Sequence, residues 1–163
     1  MTRRPGAAVI AAVGAALLSA AAFAQLPAMH AEDNGLALDF TVTTPSLTDI
    51  RGFAAKAAFT NTGAAPVKLN GWALAPATLV LEFRDATGAR VPHCPPPTPP
   101  ADPEAGRVAL APGQTETLTY DASICITPRP GRYQVRFTYS NSDAGRGDWI
   151  GALTTDWANF VLR

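Results

Sequence analysis

Apolar and polar residues alternate along most of the chain with a period of two, the pattern of half-buried β-strands. The clearest example is segment 133–139, in which tyrosine, valine and phenylalanine alternate with glutamine, arginine and threonine. The same pattern predicts further strands over residues 36–43, 53–60, 67–72, 79–84, 107–110, 115–121 and 157–162, and residues 90–93 are expected to pair back across a turn.

Turn-forming residues separate these segments, and no helical periodicity is visible beyond the first two dozen residues. Short strands joined by proline and glycine turns are typical of two packed sheets. The pattern therefore predicts an all-β fold, an antiparallel β-sandwich of seven to nine strands.

The N-terminus has the organisation of an export signal. Arg3 and Arg4 precede an uncharged stretch over 6–24, and Ala22 and Ala24 place small residues where a signal peptidase cleaves. We expect cleavage after Ala24, a flexible stretch over 25–35 and a single sandwich domain over 36–163. The product would be secreted or periplasmic, with no transmembrane segment after cleavage; an uncleaved anchor is the alternative, although the stretch is mostly alanine.

Composition narrows the class of protein. With 47% hydrophobic and 16% charged residues, the chain is neither a disordered tail nor a polytopic membrane protein. Residues 25–163 hold all 13 acidic residues but lack two of the 13 basic ones, which gives a net charge of about −2. This balance offers no reason to expect a nucleic-acid partner.

Cys94 and Cys125 are the two cysteines, and an exported chain with an even count normally pairs them. We predict one disulfide, which brackets a stiff loop with seven prolines in 92–103. The alternative for the cysteines is a metal site at His93 and Cys94, but it lacks a second close pair of ligands. The alternative for the loop is a proline-rich peptide ligand or an interdomain linker.

The segment Gly131-Arg132-Tyr133-Gln134-Val135 resembles the tyrosine corner of immunoglobulin-like domains. The resemblance is to exported bacterial domains of that class. It implies an immunoglobulin-like sandwich in which the hydroxyl of Tyr133 bonds back to the preceding turn. Val135 stands where antibody domains have a cysteine, so the predicted disulfide lies elsewhere.

A second resemblance is to the bacterial intracellular proteinase inhibitor domain, and it covers roughly residues 55–140. It rests on four turn motifs in this order: Asn61-Thr62-Gly63, Asp85-Ala86-Thr87-Gly88, Leu110-Ala111-Pro112-Gly113 and Gly131-Arg132-Tyr133. The resemblance implies protease inhibition through an exposed loop, for which the proline-rich loop is the candidate. Segment 70–78 lacks the family's polar-aromatic pattern, and export contradicts an intracellular role.

Catalytic residues are scarce. Beyond residue 24 the chain has two histidines, His30 and His93, and no serine in a glycine-flanked elbow, so we expect neither an enzyme nor a cofactor. The thioether of Met29 and the imidazoles of the two histidines are ligands of the kind that copper prefers. The alternative is that these residues simply lie in a tail or at the surface and bind no metal.

The loop after segment 133–139 contains Arg146-Gly147-Asp148, followed by Trp149. In fibronectin-type domains a tripeptide of this kind displays a carboxylate that completes a partner's metal site, so these four residues form a candidate binding loop. A solvated loop is the alternative. Trp149 and Trp157 could also offer rings to a sugar, although two tryptophans at the edge of a small sandwich are more often core or corner residues.

The sequence thus favours a non-catalytic binding or structural module whose partner is a protein or a cell-envelope component. A proteinase inhibitor is the first alternative, and an adhesion or carbohydrate-binding module is the second. The ligand and the oligomeric state are left open.

Overall fold

The structure, a computed structural model, describes residues 27–70, 79–91, 107–121, 129–142 and 147–163. A single turn of 3-10 helix, Ile50–Gly52, accompanies the strands of these ranges. The strands are β1 (Met29–Asp33), β2 (Leu36–Val42), β3 (Ser46–Leu47), β4 (Ala54–Asn61), β5 (Val67–Leu69), β6 (Leu79–Asp85), β7 (Arg90–Val91), β8 (Val108–Leu110), β9 (Thr115–Asp121), β10 (Gly131–Asn141), β11 (Gly151–Thr154) and β12 (Ala158–Leu162).

Two sheets hold most of these strands. The smaller sheet has the order β1-β2-β4-β9, and the larger has the order β3-β12-β10-β6-β7, with β11 also paired to β10. β5 and β8 form a separate pair. Neighbouring strands run antiparallel, except that the two-residue strand β3 pairs in parallel with β12.

Aromatic side chains from the inner faces of the two sheets meet in the core. The ring of Phe40 stacks on that of Phe137 with centroids 5.4 Å apart, and the ring of Phe59 packs edge-on against Tyr139 at 5.3 Å. All four are fully buried, and burial of aromatic surface is a leading contribution to stability. The all-β sandwich that the alternation predicts is therefore confirmed.

Asn61 joins two of the predicted turn motifs, its own and Leu110-Ala111-Pro112-Gly113, from inside the protein. Its side chain is fully buried, its amide donates to the carbonyls of Ala65 and Leu110, and its carbonyl oxygen accepts from the backbone of Gly63. The backbone of Asn61 also accepts from Gly113. A buried amide satisfied by backbone groups fixes how these turns dock on one another.

Three strands were not expected, so that twelve are present in the described ranges where seven to nine were predicted. Within the stretch 25–35, which we expected to be flexible, residues 29–33 form β1. Asn34 and Gly35 adopt positive φ angles of 47° and 74°, and this two-residue turn folds β1 back onto β2. β3 and β11 are two and four residues long, too short for an alternation pattern to reveal.

Among the residues described, no helix combines the length and the apolar character needed to cross a membrane. The predicted export signal over 1–24 lies outside the described ranges, and its cleavage stays a prediction.

Candidate binding face of the larger sheet

The outward side of the larger sheet carries a concentrated group of charged residues. Along β10, buried inward residues alternate with Arg132, Gln134 and Arg136 on the solvent side. The neighbouring strands bring further outward side chains into register, because Gln134 lies opposite Arg84 and Arg84 lies opposite Arg90. We use the name basic face for these residues together with Glu82 and Trp157.

Glu82 is the one carboxylate of the basic face. It lies opposite Arg136 and accepts from the Nε of Arg136 at 2.7 Å and from an Nη of Arg90 at 2.8 Å. The Glu82 side chain is only 15% exposed, whereas those of Arg136 and Arg90 are 33% and 67% exposed. The carboxylate therefore lies beneath its two partners, and the guanidinium groups face the solvent.

Trp157 holds two arginines by contact with its ring. The guanidinium carbons of Arg84 and Arg136 lie 3.9 Å and 4.7 Å from the ring centroid, which is within the range of a cation–π interaction. The Nε of Arg84 also donates to Gln134 at 2.7 Å. These contacts restrict the rotamers of both arginines while leaving their positive charge in place.

A break in the sheet places Trp157 here. β11 ends at Thr154, and the buried Thr155 then exchanges hydrogen bonds with the backbone of Phe137, its N–H donating at 3.0 Å and its hydroxyl accepting at 3.1 Å. β12 begins at Ala158, directly after Trp157. The tryptophan therefore sits at the point where the chain re-enters the sheet beside β10.

The basic face has a formal charge of +3, from four arginines and one glutamate, on a chain whose net charge is zero. Positive charge is thus concentrated on one side of a neutral protein. Such a distribution attracts anionic groups through its local field rather than through net charge. Each guanidinium group offers several N–H donors and no acceptor, so the face is suited to binding anionic groups.

The candidate loop 146–149 is corrected by the structure. Arg146 lies outside the described residues, Gly147 is exposed, and both Asp148 and Trp149 are 7% exposed and belong to the interior. Asp148 accepts from the Nε of Arg107 at 3.0 Å and from an Nη at 2.8 Å. A carboxylate held in a buried ion pair cannot complete the metal site of a partner, because its oxygens are already occupied.

Trp149 likewise belongs to the interior and offers no platform for a sugar. Its ring stacks on Tyr139 with centroids 5.4 Å apart, and its indole N–H donates to the carbonyl of Asn34 at 3.1 Å. Its backbone N–H donates to the carbonyl of Lys68. Burial, together with the nearby Asp148 carboxylate, raises the pKa of Tyr139 to about 12.

Gly131, Tyr133 and Val135, which carry the resemblance to a tyrosine corner, lie at the opposite end of β10. The hydroxyl of Tyr133 donates to the carbonyl of Arg129 at 2.6 Å, which is the bond that the resemblance to a tyrosine corner implies. Val135 is fully buried between the sheets. Gly131 begins β10, and a Cβ there would lie 3.7 Å from the Tyr133 ring, an ordinary contact.

Several predicted features lie outside the described residues, among them Cys94, Cys125, His93 and the proline-rich loop. The disulfide and the inhibitor interpretation therefore stay predictions. His30 is described: its Nδ1 lies 2.8 Å from a carboxylate oxygen of Asp39 on the smaller sheet. In the part of the chain that the structure covers, no group of three or more histidine, cysteine or acidic side chains could hold a metal ion.

The fold and its surface define an all-β sandwich with a basic outer face on the larger sheet. No protein-family model matches this chain, and a search of curated proteins finds no match either.

Sequence reasoning named Trp157 only as a possible sugar platform and missed the basic face. The alternation in segments 79–84 and 133–139 does place Glu82, Arg84 and Arg136 on the outer sides of two strands. What the sequence does not reveal is that these strands become neighbours in the register that sets Glu82 against Arg136.

Proposed function

We propose that this protein is a non-catalytic binding module with an immunoglobulin-like sandwich, and that it binds its partner through the basic face. The observation that carries the proposal is the arrangement around Trp157, where two arginines are held against one ring and one of them also pairs with Glu82, whose side chain is 15% exposed. Arginine and tryptophan, together with tyrosine, are enriched among the residues that dominate binding energy at protein interfaces.

The internal contacts of the basic face favour binding for a thermodynamic reason. A free arginine loses rotamer entropy when a partner immobilises it, and this loss reduces affinity. Arg84 and Arg136 already contact Trp157, and Arg136 also contacts Glu82. Part of the ordering cost has therefore been met during folding.

The test of this function compares two variants as affinity ligands. The double variant Arg84→Ala/Trp157→Ala removes the centre of the basic face, and Lys56→Ala removes an exposed charge from the outer side of the smaller sheet. Partners captured from the producing cell by the wild type and by Lys56→Ala, but lost with the double variant, support the proposal. Identical capture by all three proteins, with melting temperatures showing that each is folded, overturns it.

We also assign the protein to the periplasm or the medium, on the basis of the predicted signal over 1–24. Expression of the full chain in a bacterial host, followed by fractionation and N-terminal sequencing, tests this assignment. A product that begins at Gln25 in the periplasm or medium supports export. Protein that keeps residues 1–24 and stays in the cytoplasm contradicts it.

A further inference from the structure

We infer that the partner of the basic face is an acidic protein segment in extended conformation, bound through its carboxylates. This inference rests on the proposed function and names the chemistry of the ligand. Three features of the face support it, namely the way it already holds a carboxylate, the spacing of its arginines, and the balance of charge and apolar surface.

Glu82 shows how the basic face accommodates a carboxylate. One oxygen accepts from Arg136 and the other from Arg90, so a single carboxylate bridges guanidinium groups on β10 and β7, the two strands that flank its own strand β6. Charge-assisted bonds of this kind are stronger than neutral ones, and guanidinium geometry suits the two oxygens of a carboxylate. Because one glutamate is shared by two arginines, the face retains excess positive charge for acids supplied by a partner.

The spacing of the arginines fits an extended polypeptide. Arg132 and Arg136 lie on the same side of β10 four residues apart, which is about 13 Å at the rise of a β-strand. Acidic side chains four residues apart on an extended partner have the same separation. A partner lying along β10 could therefore place one carboxylate near each arginine, with Arg84 and Trp157 between or beside them.

Arg132 is the natural starting point for such contact. It is exposed, and no ion pair with a described residue involves it. A carboxylate that approaches Arg132 meets no competing acid on the same strand, because the outward neighbours along β10 are Gln134 and Arg136. Trp157, which is only partly buried, adds apolar surface that a simple inorganic anion would not use.

The experiment measures fluorescence anisotropy of a labelled peptide of alternating glutamate and threonine, about ten residues long, so that every second side chain is acidic on an extended chain. The protein used is the exported form of the full chain. The decisive variant is Arg132→Glu, which reverses a charge without removing any contact to Trp157. Its matched control is Lys56→Glu, which changes the net charge equally but lies on the smaller sheet.

We expect the wild type to bind the peptide, with affinity that falls as salt is raised because exposed charges are screened. Arg132→Glu should bind at least about tenfold more weakly, while Lys56→Glu should stay within about twofold of the wild type. A peptide in which lysine replaces glutamate should not bind. Equal weakening by both variants, or no binding of the acidic peptide at all, overturns the inference.

Inorganic polyphosphate provides the arm that separates this inference from the proposed function. If polyphosphate binds in an Arg132-dependent manner and the acidic peptide does not, the partner is not an acidic polypeptide, and the inference fails while binding through the basic face stands. If neither probe binds and the capture experiment shows no dependence on Arg84 and Trp157, both fail. Binding of the peptide with the stated dependence on Arg132 supports both.

Discussion

Two buried tyrosines show how differently one hydroxyl can contribute at the scale of a single residue. Tyr133 is 8% exposed and its hydroxyl donates to the carbonyl of Arg129. Tyr120 is 6% exposed, and its hydroxyl has no hydrogen-bond partner among the described residues. Burial accordingly raises the pKa of Tyr120, since the ionised form would be desolvated without compensation.

Replacement of each tyrosine by phenylalanine should therefore give different results. Tyr133→Phe loses a hydrogen bond, and we expect the free energy of unfolding to fall by about 1 kcal/mol. Tyr120→Phe removes a buried polar atom that makes no bond here, so stability should be unchanged or rise by up to about 1 kcal/mol. Urea unfolding followed by tryptophan fluorescence measures both, and equal losses in the two variants would contradict the expectation.

Burial also defines the role of the ion pair between Arg107 and Asp148. The two side chains are 8% and 2% exposed. Asp148→Asn keeps the shape but leaves the guanidinium charge buried, so we expect a loss of about 3–5 kcal/mol in the free energy of unfolding.

Asp49→Asn is the control for Asp148→Asn. Asp49 also pairs with an arginine, Arg51, but at the surface, where water screens the charges and the loss should be far smaller. Thermal or urea unfolding of the two variants compares the pairs directly. Comparable losses would show that the Arg107–Asp148 pair is not desolvated as the structure places it.

At the scale of elements, the hairpin of β1 and β2 depends on one close approach. Gly35 has a φ angle of +74°, and a Cβ at this position would lie 3.2 Å from the Cα of Gly63. The carbonyl of Gly35 accepts hydrogen bonds from the backbone of Thr62 and Gly63, so neither chain segment can easily move away. The turn is thus held against the end of β4.

Alanine at two glycines separates backbone strain from this close approach. Backbone strain alone should lower the free energy of unfolding by about 1 kcal/mol in both Gly35→Ala and Gly88→Ala, because both φ angles lie in the left-handed region. Gly35→Ala should lose more, since its methyl group meets the Gly63 backbone, whereas nothing lies within 4 Å at Gly88. Unfolding free energies of the two variants provide the measurement, and a larger loss for Gly88→Ala would count against this packing.

At the scale of the whole molecule, the inner faces of the two sheets form one continuous core, with inward residues from β2, β4, β6, β9, β10 and β12. The aromatic contacts extend to the Tyr133 end, where the ring of Phe53 packs against Phe83 and Phe160 at 5.5 Å and 5.1 Å. A core of this extent should hold the sandwich together without help from a covalent link.

We therefore expect reduction of the predicted Cys94–Cys125 bridge to leave the sandwich folded. The bridge would close a loop of about 32 residues and contribute roughly 3–4 kcal/mol in the chain-entropy model. Hydrogen exchange with and without reductant should show increased exchange in residues 92–106, with protection retained along β4 and β10. Alkylation of both thiols in exported protein before any reduction would refute the bridge itself.

Local alternation along the chain is enough to predict which residues face inward, because a strand with one buried face must alternate apolar and polar side chains. Segments 36–43, 53–60, 115–121 and 133–139 match β2, β4, β9 and β10 to within two residues at each end. The sequence also indicates that Tyr133 lies near the start of a strand, since the motif around it is local.

Which strands become neighbours depends on how the whole chain packs. The alternation predicts that Arg84 and Arg136 face outward and that Trp157 lies near a strand end. It carries no information on which residues of different strands lie opposite one another. The basic face exists because β6, β10 and β12 lie side by side, and Asp148 is buried because Arg107, 41 residues earlier, reaches it. Contacts between residues distant in sequence come from the packing of the sheets, which no local pattern records.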